Sequence, residues 1–77
     1  MKVVHIQWVD SQSQYGWIMD NEINTSPEII NTVGLLYHKD SISYTVVLSQ
    51  GQDSSQVNGT ITIPRVAVKS VKYLKYE

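Results

Sequence analysis

The 77-residue chain has no cysteine and no phenylalanine, only two prolines and four glycines, and no long apolar run. Without cysteine there is no disulfide framework, no thiolate nucleophile and no thiolate metal site. Without an apolar run near the roughly 20 residues that span a bilayer, no membrane-spanning helix is expected. The opening MKVVHIQWVD lacks the apolar core and small-residue cleavage site of a secretory signal, so a cytoplasmic protein is expected. Charge is scarce as well: 17% of residues are charged and the net charge is −1. A solvated, disordered segment would carry more charge and fewer hydrophobic residues than the 42% present. The length fits a single domain over residues 1–77, and a domain this small buries only about 60% of its unfolded surface. A partner or a second copy would supplement so small a core.

What is present is alternation of period two. In Ile42–Ser49 one face collects Ile42, Tyr44, Val46 and Leu48, and the other Ser43, Thr45, Val47 and Ser49. That is the pattern of a half-buried strand. Thr60–Ile63 repeats it in miniature, with Ile61 and Ile63 inward, and the polar stretch Gln50–Gly59 reads as the hairpin loop between them. Upstream, Val3–Val9 is a first strand with Val4, Ile6 and Trp8 on one face. Ile30–His38 is another, and Gly34 inside it marks a bulge or a sharp bend. His38–Ser41 supplies a polar turn, and Val66–Tyr73 a last strand introduced by Pro64.

The segment 17–31 is the least regular. Ser26-Pro27-Glu28 has the residues of a helix start, but too few residues follow for a stable helix. Residues 17–28 read as an irregular excursion holding one helical turn, with Trp17, Ile18, Met19 and Ile23 covering an open end of the sheet. Five short strands joined by short connections point to an all-β fold, a small antiparallel barrel whose closure hides its edges. The expected core is Val4, Ile6, Trp8, Val33, Leu35, Tyr44, Val46, Leu48, Ile61, Ile63, Val68 and Val71.

The succession Gly34–Asp40, Tyr44–Ser49, Ile61–Arg65 and Val68–Val71 resembles the cadence of SH3-like and Sm-like small barrels. The resemblance implies a five-stranded antiparallel barrel with a single 3₁₀ turn between the last two strands, at Ile63–Val68. Proline fits there because it cannot donate to a ladder. More narrowly, Trp8-Val9-Asp10-Ser11, Gly16-Trp17 and Ile61–Pro64 resemble small proteins of tailed bacteriophages and prophages. That likeness covers most of the chain through short apolar motifs. It implies a bacterial host cell as the setting and transfers no catalytic residue.

The chemistry-bearing residues are few. His5 and His38 stand 33 residues apart, and Ser11, Ser13, Ser41, Ser54 and Ser55 with Asp10 and Asp40 supply hydroxyls and acids. No nucleophile elbow, glycine-rich phosphate loop or metal-spaced pair joins them, so no enzyme activity and no cofactor are expected. Asp40-Ser41 reads as turn chemistry. Asp20, Glu22 and Glu28 lack the alternating oxygen ligands of a calcium loop, and no metal is expected.

Two surfaces remain. All seven aromatic residues are tryptophan or tyrosine, side chains favoured where one end is apolar and the other wet. A non-enzymatic module that binds a protein, such as a host factor or a copy of itself, is therefore the first reading, with Tyr15, Trp17, Tyr37, Tyr73 and Tyr76 as contacts. The second reading is a nucleic-acid interface. Residues 1–60 hold two lysines against six acids, whereas residues 61–77 hold Arg65, Lys69, Lys72 and Lys75 against Glu77. On a strand, however, residues 69 and 75 face one way and 72 the other. The same lysines are what an edge strand carries to discourage aggregation, and an isoelectric point near 6.0 is low for a nucleic-acid domain.

Overall fold

A computed structural model describes residues 1–75; Tyr76, one of the expected contacts, lies outside them. The strands are β1 (Lys2–Asp10), β2 (Glu28–Lys39), β3 (Ser43–Gln50), β4 (Val57–Pro64) and β5 (Val68–Leu74). They form one antiparallel sheet in the order β4-β3-β2-β1-β5. Among the described residues the only helical turns are 3₁₀, at Asp20–Glu22 and Arg65–Ala67. The mainly β class is as expected, and so is the turn after Pro64. Its Arg65 amide still donates to the Ile42 carbonyl at 2.8 Å. The one helical turn expected in the excursion is at Asp20–Glu22 and not at Ser26-Pro27-Glu28, where the Ser26 amide donates to the Asn24 side chain and Glu28 already begins β2. The closure expected of a barrel is not seen: among the described residues no pairing joins β4 to β5, which are the two edges of an open sheet.

Register decides which side chains are buried. Val4, Ile6 and Trp8 lie opposite Gly34, Thr32 and Ile30 of β2, and opposite Tyr73, Val71 and Val68 of β5. The core is Val4, Ile6, Tyr44, Val46 and Ile63, with Trp8, Leu36, Val68 and Val71 packed against it. Val33 and Leu35 were expected inside, but Gly34 takes the inward position and they face out, Val33 exposed and Leu35 half-buried. The run Thr32–Leu36 is apolar on both parities, so its sequence hides its phase. A β-carbon on Gly34 would lie 2.6 Å from Val46 Cγ1 and 2.8 Å from the Val47 carbonyl oxygen. Val46 thus fills the space above β2, and the missing side chain lets residues of β1 and β3 share one core.

Two further core expectations, Leu48 and Ile61, fail. β2 pairs with β1 along Glu28–Leu36 but with β3 only from Leu35 to Lys39. Toward the Glu28 end of β2, beyond Leu35, β3 no longer pairs with it, and Leu48 is exposed there; Ile61 on the edge strand β4 and the turn residue Ile42 are exposed as well. Val47, expected outside, is 1% exposed on the opposite face, in register with Leu35 and Thr60. There a second apolar row runs Leu74, Val3, Leu35, Val47.

The molecule is long. It measures 55 × 25 × 22 Å with a radius of gyration of 16.1 Å, against about 11.5 Å for a compact chain of this length. Its accessible surface is 6270 Å², where a compact monomer of this mass would expose about 4,700 Å².

Candidate binding site

The long loop between β1 and β2, residues 11–27, is organised by its own polar side chains. Gln12 Nε2 donates to the Asn24 carbonyl at 3.1 Å, and the Asn24 amide donates to Gln14 Oε1 at 2.8 Å. Asn24 Nδ2 returns a bond to Gln12 Oε1 at 3.3 Å, and its Oδ1 receives the Ser26 amide at 2.9 Å. These bonds zip the stem. Gly16 turns the tip with φ +93°, a conformation that side-chain-bearing residues avoid. The Asp20–Glu22 turn closes the far side, with the Glu22 amide donating to the Met19 carbonyl at 2.9 Å.

What this scaffold displays is apolar. Tyr15 is 91% exposed and Trp17 104%, and Ile18, Met19 and Ile23 are exposed beside them in the chain. The expectation that Trp17, Ile18, Met19 and Ile23 cover an open end of the sheet is overturned, because the zipped stem carries the tip away from the core. An aromatic side chain of this size buries about 150–250 Å², so at about 25 cal/mol/Å² a dry contact would stabilise by roughly 4–6 kcal/mol. Asp20 and Glu22 place negative charge on the same turn.

The other expected contacts do not join this tip. Tyr37 is exposed in the bulge between Leu36 and His38, about 30 Å of strand from the loop. Tyr73 is engaged within the chain: Lys39 Nζ donates to its hydroxyl at 3.0 Å, and Lys2 and Lys39 each lie 5.5 Å from its ring centre. That hydroxyl, as hydrogen-bond partner, raises the Lys39 pKa. Nor do the cations of the nucleic-acid reading assemble. Arg65 is spent on the Asp40 carbonyl at 2.7 Å and on the Tyr44 ring, 5.0 Å away. Lys69 is the extra residue of the β5 bulge, Lys72 stands opposite His5, and Lys75 follows the end of β5.

The histidines and Asp40 are held in turns and ladders. His5 lies 2.9 Å from Asn31 Oδ1. Asp40 Oδ1 accepts the Ile42 and Ser43 amides, both at 2.8 Å, and Oδ2 lies 2.9 Å from His38 Nε2. The His38 bond and then those two amides lower its pKa to about 2. No three histidine or acidic residues come together as a metal site among the described residues, and no helix there is long and apolar enough to cross a membrane. Comparison with family models, curated proteins and solved structures returned no match.

Sequence reasoning named Tyr15 and Trp17 as contacts but also placed Trp17, with Ile18, Met19 and Ile23, against the sheet, whereas all of them are exposed. The signal for the full tip was there: Gln12, Gln14 and Asn24 flank an apolar stretch in a loop too long for a simple connection.

Proposed function

We propose that the protein is a non-enzymatic binding module that engages a protein partner through the tip Tyr15–Ile23. One observation carries this reading: a loop zipped by three side-chain hydrogen bonds across its stem holds Trp17 and Tyr15 in solvent. Ordering a loop before binding removes part of the entropy that association would otherwise cost. Exposed aromatics on such a loop have the composition of interface anchors. The partner has an apolar pocket with a basic rim, complementary to Trp17 and to Asp20 and Glu22. The phage-like motifs and the five-strand order with its 3₁₀ turn support an SH3-like module acting on a bacterial host protein in the cytoplasm.

The test is comparative capture from a bacterial lysate. Trp17→Ala and Tyr15→Ala should each weaken the specific complex by more than about 1 kcal/mol, while circular dichroism stays that of the parent because neither side chain touches the core. Emission from Trp17 should shift to the blue in the complex. Equal capture by parent and both variants removes the site.

A further inference from the structure

We infer that two copies of the chain pair through their β4 edges, antiparallel and about a two-fold axis at Ile61. The inference stands apart from the loop reading, since it uses the opposite end of the sheet order. Strand β4, Val57–Pro64, is an edge with no charged residue and no bulge in its pairing with β3. An exposed edge of that kind is a template for another strand.

The ladder fixes which backbone groups are free. The Arg65 amide bonds the Ile42 carbonyl, and the same register pairs Tyr44 with Ile63 and Val46 with Ile61. Hydrogen-bonded and non-bonded pairs alternate along an antiparallel ladder. Ile61 and Ile63 therefore turn their backbone groups to β3, while Thr60 and Thr62 turn theirs outward. The close approach of Thr45 and Thr62 hydroxyls, 3.0 Å, is the side-chain contact of a non-bonded pair. Gly59, with φ +72°, and Pro64, with no amide, bracket the regular run. Within that bracket, setting Thr60 opposite Thr62 of the second copy lets both threonines donate and accept. It places Ile61 against Ile61 of the second copy and extends the core face across the axis.

The exposed surface argues for a second copy as the occupant. The chain shows roughly 1,500 Å² more than a compact monomer of its mass, about twice what one side of an ordinary interface covers. The β5 edge is a poor alternative partner, because Lys69 bulges out of its ladder.

Sedimentation at tens of micromolar should show a dimer, and the Thr60 and Thr62 amides should exchange slowly there and fast on dilution. Thr62→Pro removes an outward donor with no loss to the β3 ladder, and should weaken the dimer at least tenfold. Thr60→Lys, which sets charge across the axis, should do the same if Thr62→Pro misfolds. Trp17→Ala should leave the dimer intact. A monomer at every concentration, a dimer whose Thr60 and Thr62 amides exchange freely or whose β5 amides become protected, or a dimer lost only in Trp17→Ala overturns the proposal. In the last case the loop itself would be the contact between copies.

Discussion

The two edges of the sheet solve the same problem in opposite ways. Along β5 the ladder is broken by the Lys69 bulge, Lys72 follows on the outer face, and Tyr73 is held by Lys39. Along β4 there is no charge, and the strand is regular between Gly59 and Pro64. Bulges and lysines are devices that stop an edge from recruiting another strand. Their concentration on one edge teaches that this chain is closed to extension on the β5 side and open on the β4 side.

The edges also differ in how they are anchored. Ile63 is the one fully buried side chain of β4, at 0% exposure, whereas β5 holds on through half-buried Val68 and Val71. Ile63→Ala should cost about 3–4 kcal/mol through lost burial and a cavity, most of the stability of a domain this small. Val71→Ala should cost about 1 kcal/mol, the value of two half-buried carbons. Urea unfolding of both variants measures the difference. Equal losses would mean that β4 is held by its ladder and not by this one residue.

Much of this asymmetry was legible in the sequence, and its limits are physical. Ile6 and Tyr44 stand between polar neighbours, and Val4, Val46 and Ile63 have one polar neighbour each within alternating strands, so their faces could be read off directly. Thr32–Leu36 offers no such contrast, and only pairing with Val4 tells which parity faces in. Leu48 alternates correctly but lies where β3 no longer pairs with β2, a tertiary event with no local trace. Tyr15 and Trp17 were readable as surplus rings, while the side-chain bonds that present them join residues ten and twelve apart. Lysines on a final strand were readable as edge protection. That β4 would be the bare edge followed only from the strand order.

A smaller effect tests the turn that joins the two edges. Arg65 ties that turn to the β2–β3 turn through the Asp40 carbonyl, and the Asp40 carboxylate braces the latter through Ile42, Ser43 and His38. The folded pKa of Asp40, about 2, lies below its ordinary 3.8. A depressed carboxylate stabilises the fold above its unfolded value, and the contribution is lost as pH falls through the folded one. Thermal midpoints should therefore drop between about pH 4 and pH 2. Asp40→Asn keeps an oxygen for the two amides but cannot titrate, so its profile should be flatter there. If the two profiles run parallel, this turn does not couple the edges through Asp40.

The smallest change in stability should come from stripping the guarded edge. Lys69→Thr with Lys72→Thr removes two exposed charges, and the free energy of unfolding should move by no more than about 0.5 kcal/mol. Association should respond much more. The net charge goes from −1 to −3, which by itself strengthens repulsion between molecules and favours solubility. An edge freed of its lysines works the other way, by offering unpaired backbone groups to a neighbour. Light scattering that rises in the double variant, against the charge trend, shows that the lysines act locally as a guard. Scattering that falls instead would mean that the β5 bulge alone blocks pairing, and that the contrast between the two edges lies in backbone geometry.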